Sequence, residues 1–550
     1  MKEFHEGKKV MYILGISGGI RLGYHDIGAA LLKDGKLVAA VEEERLNRIK
    51  HSPNQLPQLS IKSVLESEGI SIKDVDIIAS HGITWGEVFE DVLKNYFEGE
   101  FGYCPSIERA HHHDGHAASA FYASDFDEAI ILTMDGSGDG ISMEWAIGKG
   151  QDMEVIERFE RPNSLGIFYS MITQYCGFTR DRDEYKLMGL SSYGDRKKFD
   201  FSDVIYFEQG KLILNQEYIK EIKPKNPQPT RQEMIFSQKL IDKFGPKRFK
   251  DEPLTEHFQD IAASAQAHVE NIIIKIIEFL HKKTGLRNLC LAGGVALNCA
   301  ANLKIMNLDY LDDIYVQPAS NDEGVAIGVA YLIARKHGIK IQPMDSVYLG
   351  PEYTNEEIKK ILDVLNVKYS YEENPSLYAA QKVSENKVIG WFQGRMEIGP
   401  RALGNRSILA NPTHPDMRDI VNQKIKFRDS FRPFCPSVLE EDINRFFVGK
   451  KKIAPHMTIN YDVTELAKEK IPSVVHVDNT ARIQTVNKNQ NELYYKFLSH
   501  LKEITGIGVC LNTSFNVNNE PIVNTPREAV ATFFGSGMDC LVIGNYILEK

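Results

Sequence analysis

Short apolar runs bounded by Gly, Asp and Pro alternate along the chain with longer segments of helical period. MYILGISGG and AALLKDGKLVAAVEEE read as strands, and Asp34-Gly35 marks a hairpin turn. AIILTMDGSGDG and NLCLAGGVALNCAAN each run from a strand into a Gly-rich turn, the second opening a helix. Between them HFQDIAASAQAHVENIIIKIIEFLHKKTG has helical period, with Gly285 as its C-cap, and the helix GVAIGVAYLIARKHG closes the series. This alternation predicts an α/β lobe with ligand loops at the strand ends. GIKIQPMDSVYLGPEYTN carries Gly and Pro without periodicity and places a junction near residue 345. Beyond it VIGWFQG, RSILANP, TGIGVCLNTSFN and MDCLVIGNYILEK are strand-like, with helices such as PREAVATFFGSG between them. The two lobes, 1–345 and 346–550, are thus α/β followed by a second α/β or α+β unit.

Composition narrows the function classes. With 43% hydrophobic and 25% charged residues the 550-residue chain is of globular type. A formal net charge of −10 argues against a general nucleic-acid field, so any anion site must be built from particular residues. Seven cysteines without a CxxC pair suit reduced thiols in a cytosolic protein. The polar opening MKEFHEGKK does not read as an export signal, and the most apolar helix, interrupted by Lys275, is too short to span a membrane.

Several motifs carry candidate chemistry. In HHHDGHAASAF, His112 and His116 are four apart and share one helical face, as two ligands of one metal must. Asp135 of MDGSGDG and Asp322 of SNDEGVAIG sit at strand ends and complete a set suited to a borderline divalent ion, although both also fit helix caps or turns. Gly293 and Gly294 open a helix with Asn298 and Asn302 on one face, a pattern that serves a nucleotide or simply a capped turn. The second lobe concentrates Arg401, Arg406 and Arg432 around KIKFR; read as a strand, Lys424, Lys426 and Arg428 point one way and Ile425 and Phe427 the other. Thr513, Ser514 and Asn516 follow an apolar strand and offer donors and acceptors to a carbamoyl-sized group.

The blocks HDIGAALLKDGKLVAAVEEERLNRIKH, HHHDGHAASAF, MDGSGDG, EYKLMGLSSYG, AGGVALNCAAN, PASNDEGVAIG, GPRALGNRSILANP, KFRDSFRPFCPSV and LNTSFNVNNEPIV occur in one order over nearly the whole chain. Together they resemble the O-carbamoyltransferases of antibiotic and nodulation-factor biosynthesis. The resemblance implies an actin/Hsp70/sugar-kinase-like first lobe and a YrdC-like second lobe. The second would make carbamoyl adenylate from carbamoyl phosphate and ATP, with Mg2+ accompanying the ATP. The first would pass the carbamoyl group to a hydroxyl of a small molecule.

Residue by residue, the resemblance implies that His112, His116, Asp135 and Asp322 hold a metal, usually iron. It implies that Arg401, Arg406, Lys426, Arg432, Ser514 and Asn516 line the carbamoyl phosphate and ATP site. Lys186 of EYKLMGL joins Gly293, Gly294, Asn298 and Asn302 at the first-lobe nucleotide site. His25 and Lys50 fall near the transferred group, with His25 as base for the acceptor hydroxyl. The opening GISGGIRLGYHD is longer before His25 than the family's loop. The implied partner is a small hydroxylated molecule in the cytoplasm, with no nucleic acid or membrane; a homodimer stays open. The rivals are a tRNA threonylcarbamoyl-type transferase and a non-catalytic nucleotide-binding regulator.

Overall fold

The computed structural model describes residues 10–19, 25–220 and 233–550. The polar opening segment 1–9 and residues 20–24 of the lengthened loop lie outside the described residues. Strands β1 (Tyr12–Ile16), β2 (Gly28–Lys33) and β3 (Lys36–Glu42) form an antiparallel meander, to which β4 (Ile77–Ser80) and β5 (Ser106–Arg109) add in parallel, giving the order β3-β2-β1-β4-β5. Asp34 and Gly35 turn the hairpin with φ of 48° and 78°, as the two-residue Asp-Gly loop demands.

The second sheet repeats that wiring. β6 (Glu128–Gly138), β7 (Ile141–Lys149) and β8 (Asp152–Glu160) are the meander. After a small hairpin, β9 (Ile205–Glu208) and β10 (Lys211–Leu214), the strands β11 (Asn288–Ala292) and β12 (Asp313–Val316) join β6 in parallel, in the order β12-β11-β6-β7-β8. The two sheets thus share one wiring. The helices His112–Phe121 and Asp322–Lys336 pack between these sheets, the first against β6 and β11 and the second against β1 and β2. Gly328 makes their contact possible: a Cβ there would lie 1.7 Å from the Gly115 carbonyl oxygen.

The later strands are β13 (Ser370–Tyr371), β14 (Ile389–Phe392), β15 (Arg406–Ala410), β16 (Cys435–Leu439), β17 (Phe447–Val448), β18 (Asn460–Val463), β19 (Thr480–Arg482), β20 (Gln484–Val486), β21 (Val509–Ser514), β22 (Cys540–Ile543) and β23 (Tyr546–Glu549). Eight build the mixed sheet β13-β23-β22-β14-β15-β21-β16-β20, and β17-β18-β19 form a satellite. One apolar cluster, from Ile130 and Leu289 to Phe446 and Leu548, joins the second sheet to this lobe. Among the described residues no helix is long and apolar enough to cross a membrane, and all seven cysteines are free.

The conditional reading of KIKFR as a strand does not hold. KIKFR is not extended: Asn422–Lys426 is a π-helical turn, ended by Phe427 at φ 46°. Ile425 and Lys426 are buried while Lys424 and Phe427 are exposed, so the predicted basic face over an apolar one does not form. Alternating residue types over five positions could not distinguish a strand from a turn whose buried lysine has its own partners.

Candidate functional site

Helix packing assembles the first cluster. His112 and His116 project from one helix, Asp322 from the N-terminal turn of the other, and Asp135 from the end of β6. One ligand atom from each lies within 4.8 Å of the others. His112 Nε2 is 3.4 Å from Asp322 Oδ1 and 3.9 Å from Asp135 Oδ2, and His116 Nε2 is 3.6 Å from Asp322 Oδ1. Both imidazoles are fully buried, and none of their four ring nitrogens has a hydrogen-bond partner. Buried polar atoms are rarely left orphaned, so this donor set fits a divalent ion. Gly138 leaves room for the His112 ring, 2.0 Å from where a Cβ would stand. Burial pulls the His112 pKa down, but Asp322 and Asp135 outweigh it and raise the group to about 9.

Neighbouring backbone fixes these ligands. Asp139 accepts from the His112 amide at 3.0 Å, capping the helix from outside its own segment. Asp135 Oδ1 accepts from the Gly294 amide at 3.2 Å. The Gly293-Gly294 turn therefore steadies Asp135, and Gly294 lines the cavity. It opens a short 3-10 turn, Gly294–Leu297, and not the predicted helix, which begins at Cys299 with Asn298 as its N-cap.

A second cluster follows β1. Asp26 accepts from His25 Nδ1 at 2.7 Å and pairs with His51 Nδ1 at 2.6 Å, so one carboxylate holds two imidazoles. Burial lowers the His25 pKa, yet Asp26, with Asp322 and Asp181 behind it, raises it to about 10. Lys50 Nζ lies 2.8 Å from Glu44.

The third cluster is basic and comes from the other lobe. Lys426 donates to the Ser514 carbonyl, Ser514 Oγ (3.2 Å), the Asn516 carbonyl (3.0 Å) and Asn516 Oδ1 (2.7 Å). Burial, then the charges of Arg428 and Arg432, hold its pKa well below the ordinary lysine value. Arg432 stacks over Tyr185 at 4.6 Å, a first-lobe ring. Burial and the adjacent Arg482 bring Arg401 down to about 10.

All three clusters open into one cavity of 1180 Å³. Its lining includes His25, Lys50, Asp135, Gly294, Asn298 and Asp322 from the first lobe and Arg401, Lys426, Arg432, Ser514 and Asn516 from the second. Thr513, His51, Arg428 and Arg482 line it as well. Sequence reasoning did not single out His51 or Arg482. His51 stood beside Lys50 in RIKH, whereas Arg482 in ARIQ gives no local signal.

Besides the buried His112, His116 and Gly293, three expected site residues do not line this cavity. Arg406 is fully buried in its own lobe and donates to the carbonyls of Gln393, Gly394, Asn405 and Pro351, with Phe392 against its guanidinium. Asn302 donates to Ala296 and Thr458 carbonyls, joining the lobes. Lys186 pairs with Asp183 at 3.1 Å. Asn298 lines the cavity, but its amide bonds Gln266 and caps a helix.

Comparison with known proteins gives the family. Residues 13–103 and 100–331 match the carbamoyltransferase N-terminus model, and residues 380–550 match the carbamoyltransferase C-terminus model. An uncharacterised protein of Synechocystis sp. is 38% identical over 98% of this chain and 97% of its own length. The nodulation protein NolNO of Sinorhizobium fredii is 36% identical over 98% of this chain and 83% of its own. The solved (R)-2-hydroxyglutaryl-CoA dehydratase component A of Acidaminococcus fermentans shares 16% identity, covering 59% of this chain and 99% of that one, with a TM-score of 0.32. The chain belongs to the carbamoyltransferase family and is a carbamoyltransferase.

Proposed function

We propose that the protein is an ATP-dependent O-carbamoyltransferase in which residues 346–550 activate the carbamoyl group and residues 1–345 deliver it to a hydroxyl of a small molecule. The observation that carries this reading is the shared cavity. In a chain of net charge −10, Arg401, Lys426, Arg428, Arg432 and Arg482 face the same space as Asp135 and Asp322, two of the four metal-type ligands, and the His25-Asp26-His51 cluster. Clustered guanidinium and ammonium groups suit phosphate oxygens.

The balance is carbamoyl phosphate, ATP and one water giving carbamoyl adenylate, pyrophosphate and inorganic phosphate. The acceptor oxygen then bonds to the carbamoyl carbon, AMP departs, and the hydroxyl proton must leave. His25 is oriented for that proton: Asp26 engages Nδ1, which leaves Nε2 for the acceptor. His112, His116, Asp135 and Asp322 would hold a divalent ion, in our reading Fe(II), which would supply Lewis-acid charge. Its charge beside Asp322 would also weaken the field that keeps His25 protonated. Arg401, Arg428, Arg432 and Lys426 hold phosphates, and Ser514 and Asn516 aim the Lys426 amine.

A panel of hydroxylated metabolites incubated with enzyme, ATP and carbamoyl phosphate tests this reading. Mass spectrometry should show a carbamoyl gain only when both co-substrates are present. Gain without ATP would remove the adenylate step.

A further inference from the structure

The segment Glu42–His51 touches the activating lobe at two places. Arg45, fully buried, donates to the Gly399 carbonyl at 2.8 Å, while Glu42 accepts from the Gly399 amide at 2.6 Å, two residues before Arg401. Three residues past Arg45, Arg48 caps the short helix Glu43–Asn47 in the left-handed region and reaches the other way. Its guanidinium donates to the carbonyls of Ile522 (2.6 Å) and Pro521 (2.8 Å) and lies 3.5 Å from Glu528. Those carbonyls end the loop that begins at Ser514 and Asn516, the two residues around the Lys426 amine. Arg182 is a second first-lobe tether, 3.1 Å from Asn519 in the same loop. The segment then runs directly into Lys50 and His51, beside Asp26.

We infer that Arg48 is a positioning residue that couples activation to transfer: it holds the 514–522 loop against the first lobe, so that carbamoyl adenylate made beside Lys426 is passed to the acceptor side without escaping to solvent. Arg48 does not line the cavity and touches no reacting group. Its two donors on two adjacent carbonyls form a fork that lysine, with one point of attachment, reproduces only in part. Arg45 and Glu42 hold the Arg401 loop independently, and Ser514 and Asn516 are bonded to Lys426, so losing Arg48 frees the Pro521-Ile522 end of the loop and leaves the Lys426 contacts in place.

The inference rests on the two-step reading, and the test separates the two. Pyrophosphate release and carbamoylated product are measured together for the full-length protein and its Arg48→Ala and Arg48→Lys variants, with the carbamoyl acceptor identified by the metabolite panel. Wild type should release about one pyrophosphate per product. Arg48→Ala should keep pyrophosphate release within about twofold while product falls roughly tenfold or more, the escaped adenylate being hydrolysed to AMP and carbamate, so that ammonia from the carbamate accounts for the missing product. Arg48→Lys should lie between them. Parallel loss of pyrophosphate and product with the ratio still near one, or unchanged product in Arg48→Ala, overturns the coupling role. Wild-type enzyme that forms product without pyrophosphate removes the adenylate reading, and this inference with it.

Discussion

Replacing Lys426 by Met keeps the length of a buried side chain and removes its one charge. Its amine meets four oxygens of Ser514 and Asn516 and lines the cavity with Arg428 and Arg432. A charge-assisted hydrogen bond contributes about 1.5–3 kcal/mol, and each ~1.4 kcal/mol is tenfold. The kcat/KM for carbamoyl-phosphate-dependent pyrophosphate release should therefore fall roughly 10–150-fold in Lys426→Met. Supplied carbamoyl adenylate should still be transferred, since His25 and the metal ligands are untouched. Stability should carry a pH signature. Burial and two guanidinium neighbours depress this lysine below its ordinary 10.5, so the folded chain binds fewer protons there than the unfolded one. The wild type is penalised fully at low pH and relieved as pH rises towards 10.5. On top of the cost of the oxygens left unpaired, the Tm of Lys426→Met relative to wild type should accordingly fall as pH rises through that interval. Unchanged pyrophosphate kinetics, or failure to transfer supplied adenylate by a folded variant, would refute the assignment of Lys426 to activation.

Other residues give separable outcomes. His116→Ala should lose most of its bound divalent metal by elemental analysis along with transfer, because one of two orphaned imidazoles is removed; full metal content would make the histidines structural. Arg406→Met should lower Tm, since each buried carbonyl left unsatisfied costs about 1–3 kcal/mol, with the KM for carbamoyl phosphate unchanged; a large KM shift would return Arg406 to the site. His25→Asn should slow transfer by about 10²–10⁴-fold and spare pyrophosphate release. Wild-type transfer should climb as pH rises and His25, which Asp26 holds above its ordinary value, loses its proton, and the variant should lack that climb. The stability from the His25-Asp26 pair is full below the ordinary 6.5 and is lost as pH approaches 10.

Local chemistry was legible where spacing alone determined geometry. His112 and His116 share a face because they are four apart on a helix, and the Asp34-Gly35 hairpin and Gly285 cap follow from backbone preference. Meetings between distant segments were not legible in spacing; Asp322 reaches the histidines through the close approach of Gly328 to Gly115, and Asp135 comes to them from β6. Residue type also misled. Arg406, read as a phosphate fork, spends its donors on carbonyls of its own lobe, and Asn302 bridges the lobes. KIKFR failed because strand alternation was assumed, whereas the four oxygens around Lys426 come from a loop nearly ninety residues away and carry no trace in the motif itself.

Pyrophosphate release from ATP by the purified full-length protein, with and without carbamoyl phosphate, tests the central claim most directly. The cavity's basic cluster facing the metal ligands leads to the expectation that release depends on carbamoyl phosphate and is accompanied by an equal amount of inorganic phosphate. Carbamoylated product formed from carbamoyl phosphate with ATP absent and no pyrophosphate released would contradict it.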